Sequence, residues 1–184
     1  NLFGGLPMIE VMNNMGFAAM TLGNHEFNYG QEQLLALEEA AKFPLTAANV
    51  VYEADGTNFV DAWAIIDIAG VKFGVFGLSP LETPIVTHPK NVLGLAFIDP
   101  VTVAEACVAA LADKVDVIVC LSHLGYGPDK ELAAAVKGID IIVGGHSHTL
   151  LGGKALRDLG LEVGGEYPTV VRGPGGEKSL VVQA

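Results

Sequence analysis

Basic residues are scarce in this chain. Ten Lys and Arg stand against 21 Asp and Glu, for a net charge of −11 at neutral pH. No basic stripe and no row of aromatic platforms occurs, which argues against a nucleic-acid surface, because such a surface must neutralise phosphates along a strand. Cysteine is nearly absent. Cys107 and Cys120 sit in apolar stretches at a spacing that fits no zinc motif, and they read as two buried free thiols. No apolar run approaches the roughly 20 residues a helix needs to span a bilayer, so no membrane span is predicted. Low-complexity tracts, internal repeats and linkers are missing too, and no signal peptide is visible. What remains is 51% hydrophobic and 17% charged, the composition of a folded chain, and 184 residues suffice for one domain with a sizeable core.

The apolar pattern predicts alternating strands and helices. Residues 115–121 and 139–143 are short, β-branched and aliphatic, as buried strands are. Residues 17–22 and 45–50 read as further strands, the first less distinctly because Ala and Met suit a helix equally well. Residues 63–68 and 71–78 flank Ala69-Gly70, a hairpin signal that points to a second, mixed sheet. Helices are predicted over 7–14, where Met8, Val11, Met12 and Met15 recur at core spacing, over 31–43, with Glu38 and Glu39 on its solvated face, and over 129–137. Another opens at Asp99-Pro100, with Asp99 as its cap, and continues through Leu111. Residues 79–100 hold four prolines and read as a surface loop, in which His88 is a surface or capping residue. Residues 167–171 and 178–182 read as short antiparallel strands joined through Pro174-Gly175-Gly176. Asn49 is read as structural.

Three strand ends carry the chemistry: Leu22-Gly-Asn-His-Glu-Phe-Asn-Tyr-Gly30, Ser122-His123 and Gly144-Gly-His-Ser-His148. They hold an Asn and four of the five histidines. In a parallel α/β sheet, residues just past the carboxyl ends of strands gather at one rim, where ligands bind. Asn24, His25, His123, His146 and His148 are therefore expected to converge. Imidazole nitrogens and an amide oxygen suit borderline divalent ions such as zinc, manganese, iron or cobalt. A lone strand-end His would be an ordinary structural residue; three such clusters in one chain are better read as part of a metal site. Gly144 and Gly145 allow a turn that lets both rings of the His-x-His pair address one centre.

The motifs GNHEF, SHLG and GGHSHT, in this order and spacing, resemble the calcineurin-type metallophosphoesterases. More narrowly, they resemble the N-terminal domain of the 5′-nucleotidase family, which includes 2′,3′-cyclic-nucleotide phosphodiesterases. The similarity covers nearly the whole chain, Thr87-His-Pro-Lys-Asn-Val-Leu-Gly94 included. It implies an α/β fold of the four-layer αββα type and a pair of divalent metal ions sharing a bridging Asp. Asn24, His123 and His146 would bind one ion and His148 the other. His25 would face the phosphate, oriented by residue 28. The family commonly has Asp at that position; Asn28 can orient the ring through its carbonyl but brings no negative charge. Glu26 reads as structural, bonding backbone amides.

The family's Asp-x-His strand and its Gly-Asp do not occur in this sequence, so every carboxylate ligand is missing. The resemblance thus implies the interior of a metallophosphoesterase domain over 1–184, incomplete at both ends, with a sheet edge open to self-association. The expected activity is release of phosphate from nucleoside 5′-monophosphates by attack of a metal-bound hydroxide, the two ions lying about 4 Å apart. The alternatives are a 2′,3′-cyclic-nucleotide phosphodiesterase or thiosulfohydrolase on the same scaffold, or a non-catalytic binding module. The expected partners are a nucleotide or other small phosphoester and a C-terminal substrate-binding domain of the same protein. By resemblance the location is periplasmic or extracellular, and these 184 residues alone are expected to be inactive.

Overall fold

The computed structural model describes residues 3–183. In chain order the elements are α1 (Leu6–Met15), β1 (Met20–Thr21), a 3-10 turn η1 (Asn24–Tyr29), α2 (Gln31–Ala40), β2 (Leu45–Thr46), β3 (Val50–Tyr52), β4 (Trp63–Ile68) and β5 (Val71–Leu78). They continue with α3 (Thr83–Val86), a second 3-10 turn η2 (Pro89–Val92), β6 (Leu95–Phe97), α4 (Pro100–Leu111), β7 (Val117–Ser122), α5 (Tyr126–Ala135), β8 (Ile141–Gly144), α6 (Lys154–Asp158), β9 (Thr169–Arg172) and β10 (Lys178–Gln183).

The central sheet runs β4-β5-β7-β8-β10-β9. Its inner pairs β5–β7, β7–β8 and β8–β10 are all parallel, and antiparallel β4 and β9 close the two edges. Four consecutive parallel strands therefore end at one rim, at Leu78, Ser122, Gly144 and Gln183. β1 and β2 form a separate parallel pair, and β3 pairs antiparallel with β6. The fold is mixed α/β.

Two cores hold these layers. One packs α4 and α5 on the central sheet through Leu111, Cys107, Leu132, Val136, Phe76, Ile118 and Ile142. The other gathers Leu22, Phe27, Leu34, Leu45, Val50 and Phe59 around η1 and α2. Asn49 lies between them, fully buried. Its amide donates to the carbonyls of Ser79 and Ile98 at 2.8 and 3.2 Å, and its Oδ1 accepts the Ser79 N–H at 2.8 Å. Both thiols are free and buried, and burial pushes Cys107 up to about 11 and Cys120 well above its ordinary value. Asp99 caps α4 through Thr102 N–H at 2.9 Å, and His88 Nδ1 accepts the Lys90 N–H at 3.3 Å.

Several sequence expectations need correction. Met8, Val11 and Met15 are not core residues but 62%, 50% and 69% exposed. α1 is apolar nearly all round, yet only the stripe through Ile9 and Met12 meets the core beside α2. The strand expected over 17–22 shortens to β1, and the one over 45–50 breaks where Asn49 turns inward. The 63–78 hairpin founds no second sheet, because β5 pairs with β7 in the sheet that carries the histidines. Residues 79–100 are not simply the expected surface loop; they contain α3, η2 and β6, with Ser79, Thr83, Val92 and Leu95 buried. The helix expected from Asp129 begins at Tyr126, which puts Asp129 in its first turn. Among the described residues no helix is long and apolar enough to cross a membrane.

Candidate metal centre

β1 delivers Gly23 and Asn24 to the rim. η1 is held there by Glu26, whose Oε2 accepts the Gly23 N–H at 2.7 Å, so Glu26 does bond backbone as its position implied. Asn24 is buried, and its Oδ1 has no hydrogen-bond partner. An unpaired buried amide oxygen costs on the order of 1–3 kcal/mol, so this one calls for a ligand.

β7 delivers His123. Its ring lies between two glycines: a Cβ on Gly23 would stand 2.7 Å from its Cδ2 and Nε2, and one on Gly145 would stand 3.2 Å from its Nδ1. The ring meets that of His146 edge-on, with centroids 5.1 Å apart. Burial first, then the charges of His146, His25 and His148, hold His123 down to about 4 against the upward pull of Glu82. His123 is consequently neutral at physiological pH, with a lone pair to offer.

β8 delivers His146 and His148. Both have left-handed backbone, with φ of 67° and 51°. That conformation costs a non-glycine residue roughly 1–2 kcal/mol and persists where the surroundings enforce it. An open groove runs beside these residues, lined by His123, His146, His148, Thr21, Met20 and Val143.

His25 is exposed. Its Nδ1 lies 3.1 Å from Asn28 Nδ2, which reverses the expected polarity. An amide NH2 only donates, so Nδ1 accepts and the ring proton sits on Nε2. The rim thus brings His123 and His146 into ring contact, with His25 and His148 near enough to act on His123 electrostatically. Among the described residues, however, no three His, Cys, Asp or Glu side chains surround one point. His88 lies apart, as a cap.

Three residues at the rim escaped sequence reasoning. Glu82 Oε1 lies 3.1 Å from His146 Nε2, supplying a carboxylate from a segment that carried no signal except its prolines. Asp129 is fully buried and accepts from Ser122 Oγ at 2.5 Å, while its Oδ2 has no hydrogen-bond partner and lies against Gly144. Burial pushes its carboxyl up to about 6 against that hydrogen bond. Gln183 Nε2 donates to the Gly145 carbonyl at 2.7 Å.

The donor set fits a borderline divalent ion: a neutral imidazole, a second imidazole beside it, and a buried amide oxygen without a partner. The sequence matches the calcineurin-like phosphoesterase family over residues 6–150. It is 38% identical over 187 residues to a probable 5′-nucleotidase of Treponema pallidum, covering all of this chain and 31% of that one. The structure is similar to that of a 5′-nucleotidase precursor from Thermus thermophilus, with a TM-score of 0.88 and 39% identity over 98% of this chain and 35% of that one. It is also similar to the NAD nucleotidase of Haemophilus influenzae, with a TM-score of 0.86 and 35% identity over 99% of this chain and 33% of that one. The chain spans about a third of the length of the relatives it matches.

Proposed function

Because this chain belongs to the calcineurin-like phosphoesterase family, we propose that residues 1–184 form part of a phosphoesterase domain that releases phosphate from nucleoside 5′-monophosphates. The observation that carries this reading is the partnerless buried Oδ1 of Asn24 at the rim where His123 meets His146. Asn24, His123 and His146 would hold one divalent ion and His148 a second. When bound, two such ions neutralise phosphoryl oxygens and make water acidic enough to react at neutral pH.

The chain's own groups supply the rest. The two glycines fix the His123 ring, and its low affinity for protons keeps its lone pair free. His25 carries its proton on Nε2 and stands exposed beside Asn24. From there it donates to the oxygen on which charge develops, or protonates the leaving oxygen. Asn28 orients that ring by donating to Nδ1. Glu82 contributes the negative charge that the three neutral ligands lack. Recognition of the nucleoside would fall to a C-terminal domain outside these residues, with which relatives three times as long accord, and the location that goes with this reading is periplasmic or extracellular.

The test is hydrolysis of AMP, 2′,3′-cyclic AMP and an aryl phosphate by the complete protein that carries these residues, rather than by residues 1–184 alone, with Zn²⁺, Mn²⁺ or Co²⁺ supplied. AMP should be cleaved, EDTA should abolish the activity, and His146→Ala should lower kcat/KM by about 10²–10³, the scale of losing a principal electrostatic contact. Cleavage of the cyclic substrate alone would move the assignment to the phosphodiesterase alternative. Activity untouched by EDTA would overturn the metal centre.

A further inference from the structure

His146 and His148 hold left-handed backbone, which side-chain-bearing residues abandon unless neighbours hold them there. Within the turn, the Ser147 N–H donates to the Gly145 carbonyl at 2.8 Å, a single short backbone bond. Further bonds come from outside the turn. The parallel register of β10 with β8 sets Gln183 opposite Gly144, at the last position of its strand. From there Nε2 donates to the Gly145 carbonyl at 2.7 Å, and Oε1 accepts from Ser147 Oγ at 3.4 Å. One amide thus grips the backbone before His146 and the side chain after it. Ser147 Oγ also accepts the Tyr126 N–H at 3.1 Å and meets Thr149 Oγ1 at 2.8 Å, which extends the brace past His148.

We propose that Gln183 is a positioning residue: its amide clamps Gly145 and Ser147 so that the strained His146–His148 turn points its imidazoles at the rim. This rests on the reading of His146 and His148 as metal ligands. Neutrality suits the task, since the amide adds a second donor to the Gly145 carbonyl and offers an acceptor to the Ser147 hydroxyl. A single amide offers both at the right spacing. Groups that orient ligands from behind are worth 10–100-fold in metal affinity.

The test uses the full chain with Gln183→Met, which keeps length but removes both polar atoms, and Gln183→Asn, which keeps the amide but withdraws it by one carbon. The second variant keeps the test alive if the first fails to fold. Co²⁺ is the probe. Both variants should raise its dissociation constant 10–100-fold and shift its visible absorption. In the metal-free protein, hydrogen exchange should quicken in a peptide covering residues 144–149 and nowhere else, which a general loss of stability would not reproduce. His146→Ala runs alongside. If it abolishes Co²⁺ binding while the Gln183 variants match the parent within twofold in affinity and exchange, the inference about Gln183 is overturned alone. If it leaves Co²⁺ binding intact, the metal-centre reading falls, and this inference falls with it.

Discussion

Gly23 has no side chain because His123 occupies the space one would need. Its φ of −96° is open to any residue, so the constraint is steric and local. Gly23→Ala should therefore displace the His123 ring while the backbone stays put. A displacement near 1 Å at a catalytic site costs about 10² in rate. The expected result is a melting temperature within a few degrees of the parent's and a kcat/KM near 1% of it. A fully active variant would remove His123 from the site.

Titration at the same rim gives a second residue-scale prediction. Asp129 rises from 3.8 to about 6 in the fold, so between those values the native state keeps a proton that the unfolded chain releases. Its stabilising contribution is full below pH 3.8 and is lost as pH rises through 6. His123 falls from 6.5 to about 4, so across that interval the unfolded chain takes up a proton that the native state refuses. Stability from this group is lowest below pH 4 and returns as pH climbs past 6.5. The two oppose each other over pH 4–6. In metal-free protein, urea midpoints of Asp129→Asn should rise with pH more steeply than the parent's, and those of His123→Gln should fall. Parallel curves for all three proteins would refute both assignments.

At the scale of elements, the rim depends on how closely β5 can approach the β1–β2 pair. Ala48 N–H donates to the Gly77 carbonyl at 2.8 Å, and a Cβ on Gly77 would collide with the Thr46 carbonyl and the Thr21 hydroxyl. The Thr46 backbone on one side, with the Thr21 hydroxyl already bonded to that same carbonyl, leaves no inexpensive escape, unlike the ring beside Gly23. Gly77→Ala should cost about 1–3 kcal/mol, read as a lower urea midpoint with an unchanged slope. Because β1 leads directly into Asn24, that variant should also weaken metal binding, whereas an Ala at Gly70 in the outer hairpin turn, where no atom stands in the way, should leave metal binding alone.

For the molecule as a whole, the rim joins strand ends from β1, β7, β8 and β10, which are far apart in sequence. A ligand that ties them together should stabilise the native state by mass action, about 2.7 kcal/mol when present at 100 times its dissociation constant. For a chain of this length that corresponds to a rise of roughly 5–10 °C in melting temperature, reversed by EDTA. Zn²⁺ or Mn²⁺ that left the melting curve in place would contradict a shared centre. A heavy excess of acid, 21 Asp and Glu against ten basic residues, makes such a local cation the natural means of holding a phosphate here.

The chain's order alone determined the family motifs, the alternating elements, the hairpin at Ala69-Gly70 and the cap at Asp99. These are local signals, set by periodicity and by residues within a turn of one another. Met8 and Met15 misled because a helix that is polar only at Glu10, Asn13 and Asn14 does not declare which part of its wide apolar face its neighbours will cover. Glu82, Asp129 and Gln183 carried no local signal. Glu82 comes from a proline-broken segment, Asp129 from the first turn of a helix, and Gln183 from a strand that reaches Gly145 only through its register with β8. Which side chains stand behind the histidines, and that His146 and His148 take left-handed backbone, was decided by packing between distant strands, because only there do those groups come within bonding distance.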